Sequence, residues 1–526
     1  MVNYSENLID TVFSSAVKDT LSFGKIGIEK ESLRTIQSQI TQFAHPKKMG
    51  SALCNRYITT DFSESQLELI TPPLPDKTAG LEFLDHIHHF VSHNINKEIL
   101  WPFSMPPIIK SEQDLPIADY GISNMGLFKQ LYRKGLSRRY GRTMQAISGV
   151  HYNYSLPDSI WCSSFFEDDK LDSRLLRSDG YFRMLRNIYR MNWLVLYLFG
   201  ASPILTKDFL TKGSEPLQKL TNQTYYLPYA TSLRMSDFGY QNLLRINLKV
   251  SSDSLDNYVS DLNMATSTIS ESFQNINNHH NADPLQINAN ILQIDDEYYA
   301  VARAKSKIIS HQSLTSKLKK GGVDFIELRS LDLNPFSRIG IDKETIYFLE
   351  VFLIYCFLTT SNLINEDELK TIKDNDLLVA RRGRDPSLLL QKDQASIGLQ
   401  EWGKQIVDEM TPIAELLDGE KTVYRDMMHT MTSKIIDPDQ TLSGLLLDKV
   451  ITEKVDFIDL GNSIGETNKQ YYLDLEKSEN PYWYLLEKEA LDSRSQQSEL
   501  EAENNKSFES FVADYFDKKN CSINTV

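Results

Sequence analysis

Apolar and polar residues alternate with a period of two along several stretches in the first two-thirds of the chain. The runs Phe23–Arg34, Ile147–Leu156, Leu243–Val250, Leu285–Ile294, Tyr298–Arg303 and Gly322–Leu333 show that alternation or a high β-branched content, and they predict strands. Between them, apolar positions recur at helical spacing in Ala79–Lys97, Gly180–Phe199 and Leu255–Asn275. After Asn334-Pro335-Phe336 only helical periods are legible, at Lys343–Thr360, Gly398–Leu417, Lys421–Lys434 and Tyr482–Asn505. Strands first and helices afterwards predict an α+β protein. A sheet-containing core is expected over residues 1–340 and a helical C-terminal region over 341–526. No linker-like stretch parts them, so they are expected to pack as one compact unit. The polar segment Ser493–Lys506 reads as a solvated helix or a frayed tail.

Composition narrows the class. Of 526 residues, 41% are hydrophobic and 24% charged, which fits a globular protein and excludes wholesale disorder. The longest apolar run, Tyr347–Leu358, is interrupted by Glu350 and falls short of the ~20 residues a spanning helix needs. The N-terminal residues lack the basic and apolar regions of a signal peptide. Cys54, Cys162, Cys356 and Cys521 stand far apart and form no Cys-x-x-Cys, as expected in a reducing compartment. A cytoplasmic protein is expected. With 56 Lys and Arg against 71 Asp and Glu, the net charge of −15 argues against nucleic acid and membrane partners. An anionic small molecule would need a locally basic or metal-filled pocket.

The chemistry is carried by acidic residues that interrupt strands. Glu29 and Glu31 lie two apart in Lys25-Ile-Gly-Ile-Glu-Lys-Glu-Ser-Leu-Arg34, so a strand points both to one face. Side-by-side carboxylates repel unless a cation or proton lies between them. Asp61, Glu64 and Glu68 recur in the next segment, with Leu67 and Leu69 flanking the last. In Gly321–Asp332 the alternation puts Glu327 and Arg329 on one face with Phe325 and Leu331. His151 and Asn153 share a face in Gly149-Val-His-Tyr-Asn153. One such segment alone is ordinary strand surface. Together they make an oxygen cage suited to Mg²⁺ or Mn²⁺, which in turn hold phosphates.

Other clusters say less. His86, His88, His89 and His93 lie on the helix from Ala79, but Phe83, Ile87 and Phe90 form its apolar stripe, so the histidines are expected on the outer face. Arg381-Arg-Gly-Arg384 is a basic surface patch with the option of a phosphate contact. Glycine-loop nucleotide motifs and a Gly-x-Ser-x-Gly elbow are missing, so a nucleotide would be held by metals and separate basic residues.

Taken in order, seven segments resemble bacterial glutamate–cysteine ligase (γ-glutamylcysteine synthetase) of the stand-alone type. They are Gly27–Arg34, Ile58–Pro72, Trp101–Pro106, Ser148–Asn153, Tyr226–Arg234, Leu285–Asn288 and Glu327–Phe336. The likeness is dense over residues 15–340 and thins beyond. It implies a glutamine-synthetase-like fold, a mostly antiparallel curved sheet around a funnel-shaped site with helices outside. It also implies ligation of L-glutamate to L-cysteine with ATP and Mg²⁺ (Mn²⁺ as an alternative), the first step of glutathione biosynthesis, with a monomer as one option. On the matching positions Glu29, Glu31, Asp61, Glu68, His151 and Glu327 are the implied metal ligands, and Arg329 and Arg234 the catalytic cations. Phe62, Tyr132, Gln145, Tyr240 and Tyr299, with Arg234, are the implied amino-acid pocket. Ala146 departs from the family, which often has a hydroxyl residue beside that glutamine. A sister ligase that joins glutamate to another amine, or a non-catalytic amino-acid or nucleotide sensor, would share the same fold.

Overall fold

The computed structural model describes residues 16–162, 173–210, 216–239, 248–276, 284–307, 312–503 and 505–521. The first alternating run forms β1 (Lys25–Ile36), followed by β2 (Gln39–Ile40), β3 (Ile58–Thr60), β4 (Gln66–Ile70), β5 (Ile99–Leu100) and β6 (Val150–Ser155). A separate small sheet holds β7 (Ile204–Thr206), β8 (Gln218–Lys219) and β9 (Thr224–Tyr226). The chain then returns to the main sheet with β10 (Ala302–Lys305) and β11 (Phe325–Leu331). The resulting eight-stranded sheet has the order β10-β11-β6-β1-β4-β3, with β2 and β5 paired to the second half of β1. Every ladder in it is antiparallel. The expected α+β class is what the fold shows.

The α-helices longer than one turn are α1 (Lys77–Asn94), α2 (Asn124–Tyr140), α3 (Ser173–Phe199), α4 (Leu255–Ser267) and α5 (Leu314–Gly321). The C-terminal part adds α6 (Lys343–Leu358), α7 (Glu366–Arg382), α8 (Leu399–Asp418) and α9 (Val423–Ile436). It closes with α10 (Leu442–Thr452), α11 (Phe457–Leu473), α12 (Trp483–Ala502) and α13 (Phe508–Cys521). A short hairpin, β12 (Leu389–Lys392) and β13 (Ala395–Gly398), interrupts this helical third. None of the described helices is long and apolar enough to cross a membrane.

Parity along the strands decides what faces the core. Ile26 and Ile28 of β1, Leu67 and Leu69 of β4, Tyr152 and Tyr154 of β6, and Ile326 and Leu328 of β11 are all buried in one cluster with α1, α3 and α6. Intervening residues point to the other face of the sheet. Helix α6, apolar on all sides, is buried between α3 and the later helices and carries Glu350 into the core. Glu350 is neutralised there by Lys77 at 2.8 Å and accepts a 2.6 Å hydrogen bond from the Tyr424 hydroxyl.

Several expectations are corrected. Leu285–Ile294 is irregular, with one bridge from Asn290 to Ile269. Its backbone groups are taken by side chains instead: Ile287 N donates to Gln293 Oε1, Asn288 Nδ2 to the Gln293 carbonyl, and Arg139 to the Asn288 carbonyl. The strand expected at Tyr298–Arg303 forms later, at Ala302–Lys305, and the helix from Leu255 stops at Ser267. Most of Leu243–Val250 lies outside the described residues, and its last three residues are not strand. His88 and His89 are buried, because α11 and α12 cover that side of α1 with Tyr472 and Trp483. The arginines of 381–384 are spent on structure: Arg381 pairs with Asp237, Arg382 with Asp385, and buried Arg384 with Asp439. In β11 a register shift between Leu328 and Leu331 puts Leu331 opposite Val150, on the core face rather than beside Glu327.

Lys77→Met would leave a buried carboxylate without its counter-ion, an expected cost of about 3–5 kcal/mol. Urea unfolding should show the loss, and adding Glu350→Leu should recover part of it. A single variant as stable as the parent would make this pair dispensable.

Candidate active site

The polar face of the main sheet is assembled by register. Glu29 is directly opposite His151, Glu31 opposite Glu68, and Glu327 opposite Asn153. Residues opposite one another on antiparallel strands share a face, so β1, β4, β6 and β11 place these groups side by side. His151 Nδ1 lies 3.3 Å from Glu29 Oε2 and 3.8 Å from Glu327 Oε1, while its Nε2 lies 3.5 Å from Glu31 Oε1. Asn153 Nδ2 donates to Glu29 Oε1 at 2.8 Å, and Gly149 N to Glu31 Oε2 at 2.9 Å. Asp61, from the turn after β3, and Phe62 complete this side of a cavity of about 340 Å³.

The charges are only partly balanced. Burial raises the affinity of Glu327 for its proton, but Lys305, Arg329 and His151 outweigh it and hold the carboxyl below the ordinary range. Burial acts the same way on Glu29, and the His151 hydrogen bond turns the net shift downward. Glu31 and Glu68 go the other way. Burial, then the neighbouring carboxylates, push Glu68 well above 4.5, and burial with Asp61 raises Glu31. No side chain among the described residues donates a hydrogen bond to Glu68, and buried Glu327 Oε2 has no hydrogen-bond partner.

That donor set fits a hard divalent cation. One atom each of Glu29, His151 and Glu327 lie within 4.8 Å of one another, and Glu31, Asp61 and Glu68 line the same cavity. Carboxylate oxygens with a single imidazole suit Mg²⁺ or Mn²⁺ better than a soft metal. Glu64, by contrast, is turned away and accepts from the backbone of His45 and Asp119.

Cations and aromatic rings form the remaining wall. Arg329 reaches Glu327 at 3.1 Å, and Glu327, despite burial, holds its guanidinium firmly protonated. Buried Arg234 donates to the Arg329 carbonyl at 2.9 Å and lies 3.7 Å from Asp332. Its path runs over Gly149, where a Cβ would sit 2.2 Å from Nη2, so only glycine admits the guanidinium. Tyr132, Gln145 and Tyr299 line the cavity, and Tyr240 lies outside the described residues.

The structure adds Arg133, Tyr140, Arg303, Lys305 and Glu297 to this lining. Tyr132, Leu136 and Tyr140 recur at helical spacing on α2, and Arg303 and Lys305 alternate on β10, so a period existed in the sequence to find them. Their relation to the cage did not. Arg303 is opposite Glu327, and Lys305 Nζ comes within 3.3 Å of it, through pairing between strands. A second cavity of about 570 Å³ shares Glu29 with the first and is bordered by Asn153, Lys25, Arg177 and Lys307.

Comparison with known proteins gives a consistent family. The chain matches the glutamate–cysteine ligase family model over residues 9–379. It is 37% identical over 521 residues to glutamate–cysteine ligase of Janthinobacterium sp. (strain Marseille), covering 98% of each chain. It is 38% identical over 524 residues to that of Alcanivorax borkumensis, covering 98% of this chain and 100% of the other. The crystal structure of glutamate–cysteine ligase from Francisella tularensis in complex with AMP superposes with a TM-score of 0.88 at 32% identity, covering 95% and 98% of the two chains. A bifunctional glutathione synthetase from Pasteurella multocida shares the fold, with a TM-score of 0.71 at 24% identity over 89% of this chain and 55% of that one.

The cage sets a pH dependence for metal-stripped protein. Glu31 and Glu68 bind protons more tightly folded than unfolded, so their contribution to stability falls as pH rises above 4.5. Glu29 and Glu327 act oppositely, stabilising above 4.5 and losing that as pH drops through their lowered values. Thermal unfolding in EDTA and in Mg²⁺ should therefore diverge with rising pH, the metal form being the more stable. Parallel curves between pH 5 and 8 would remove the metal from this cluster.

Proposed function

The chain belongs to the glutamate–cysteine ligase family, and on that premise we propose that its carboxylate-lined cavity joins the γ-carboxylate of L-glutamate to the amine of L-cysteine. The reaction consumes ATP, yields γ-glutamylcysteine, ADP and phosphate, and is the first step of glutathione biosynthesis. The observation that carries this reading is the carboxylate cage with Arg329 and Arg234 on the same wall. A carboxylate is a poor acyl donor, so a γ-carboxylate oxygen first takes the γ-phosphoryl group and its bond to ADP breaks. The amine nitrogen then attacks the carbonyl carbon of that acyl phosphate, loses a proton and expels phosphate as the C–O bond breaks.

Each group on the wall has work in this sequence. Glu29, Glu31, Asp61, Glu68, His151 and Glu327 would hold Mg²⁺, with Mn²⁺ as an alternative, and bound there the ions neutralise the phosphate oxygens a carboxylate must approach. Arg329, locked against Glu327, presents a planar donor pair to the transferring phosphoryl group. Arg234, anchored on Asp332 and the Arg329 carbonyl, holds an oxygen of the reacting carboxylate or phosphate in line. Arg303 donates to the Asp296 carbonyl at 3.0 Å and lines the cavity, where its guanidinium would meet an amino-acid carboxylate. Phe62, Tyr132, Gln145 and Tyr299 form the pocket for cysteine, where rings suit a polarizable thiol and hydroxyls fix its polar end.

The second cavity is the natural place for the nucleotide. It meets the first at Glu29, so phosphates would reach the cage while the base lies beside Trp161 and Phe325. We place the enzyme in the cytoplasm, where ATP and reduced cysteine are available. Residues 1–340 and 341–526 act as one catalytic unit, supported by the packing of α3 on α6 and α7 and of α11 on α1.

The test is ADP release with Mg²⁺, ATP and glutamate, with and without cysteine, and identification of the product by mass. Cysteine-dependent turnover to γ-glutamylcysteine is expected. Turnover with a different amine but not with cysteine would keep the cage and refute the substrate, and no turnover with any amine would refute the ligase reading. Glu327→Gln should lower kcat by roughly 10²–10³-fold with little loss of stability. An unchanged kcat would remove Glu327 from the site.

A further inference from the structure

Lys30 points away from the cage. Its neighbours Glu29 and Glu31 face the reaction cavity, and the pleat sends Lys30 to the opposite side of β1. The side chain is buried at 3% exposure, yet it has neither an ion pair nor a hydrogen bond among the described residues. Gly340, at φ +76°, closes over its stem so tightly that a Cβ there would lie 3.0 Å from Lys30 Cε. A buried ammonium without a counter-ion is costly, and proteins almost always supply one.

The ammonium ends in a small cavity of about 20 Å³ between β1, α1, α11 and the loop before α6. His88, Ser92, Ser337, Arg338, Asn468 and Lys469 surround it with donors, and no Asp or Glu lines it. His88 is buried at 2% exposure and its Nε2 has no hydrogen-bond partner. Asp85 of α1 and Glu98, which follows it, are already used: Asp85 accepts the Tyr472 hydroxyl, and Glu98 holds Arg34 at 2.5 Å. Lys469 is tied to the carbonyls of Ile95, Asn96 and Glu98, and Arg338 lies 3.8 Å over the Tyr471 ring at the exposed mouth. This is a concentrated positive site in a chain of net charge −15.

From this juxtaposition we infer that the cavity behind β1 binds a small inorganic monoanion, a halide such as chloride, between Lys30, His88 and Arg338. Size selects the class. A water needs ≳10–15 Å³ of such volume, so 20 Å³ holds one ion of little more than water size and excludes a tetrahedral oxyanion. Bound there, the ion supplies the partner that buried Lys30 lacks and ties β1 to α1 and α11. It would thus steady the strand that carries two groups of the reaction cavity, from a position substrate cannot reach. Arg338 at the mouth provides the way in.

Crystals of the full chain soaked in sodium bromide should show an anomalous peak within hydrogen-bond reach of Lys30 Nζ, and the absence of a peak there would overturn the inference. In solution, replacing gluconate by chloride at constant ionic strength, without substrates, should raise Tm along a saturable curve. Lys30→Met should abolish that response. If that variant does not fold, Arg338→Gln at the mouth should shift the chloride midpoint several-fold upward. A chloride response identical in parent and Arg338→Gln, or an equal response to sulfate, would refute the site.

Discussion

Everything in the reaction cavity depends on holding mutually repelling carboxylates in one place. Glu29, Glu31, Glu68 and Glu327 come from three strands, and an isolated strand would splay such charges into water. Antiparallel ladders prevent this, because the hydrogen bonds that fix the register belong to the backbone and are insensitive to what the side chains repel. The opposite face anchors the same ladders with Ile26, Ile28, Leu67, Tyr152 and Ile326 in the core. Burial on one face thus stabilises a charge arrangement on the other that is unfavourable by itself. Strain of this kind is what a cation bound there would relieve.

The basic groups are arranged with the same logic. Arg329 and Lys305 are drawn to Glu327, and Arg234 to Asp332, so each cation is oriented before any substrate arrives. Pre-oriented donors cost no reorganisation when charge develops, which is why they contribute more than mobile lysines in water would. The glycine at 149 belongs to this arrangement as much as the charged residues do, since the space it leaves is the space Arg234 occupies.

The helical C-terminal part reaches the cavity by a longer route. Helix α2 carries Tyr132, Arg133 and Tyr140 of the wall, and its N-terminal segment is held from behind by the end of the chain. Gln497 donates to the Tyr120 carbonyl, Asn124 to the Lys506 carbonyl, and Phe128 packs on Phe511 and Tyr515 of α13. The segment Ser493–Lys506 is the solvated helix its polarity suggests up to Ala502, with Ser493 buried against Gly50. A polar composition suggested a surface role, and the contacts turn it into a brace.

What the sequence determined by itself were the local periods and the residue types they carry. Glu29 with Glu31, and Glu327 with Arg329, were legible as same-face pairs because a strand repeats every two residues wherever it lies. The helical third was legible for the same reason, and seven ordered segments were enough to indicate the family. Tertiary structure decided which of these faces meet. Register between β1 and β6, more than a hundred residues apart in sequence, brought His151 to Glu29, pairing of β10 with β11 brought Lys305 to Glu327, and a bulge in β11 moved Leu331 off the face its parity suggested. Packing of α11 and α12 buried histidines that their own helix would have left outside, and it closed the cavity around Lys30. Periodicity is a property of the backbone and can be read locally. Pairing, burial and enclosure depend on chain segments remote in sequence, so no local pattern contains them.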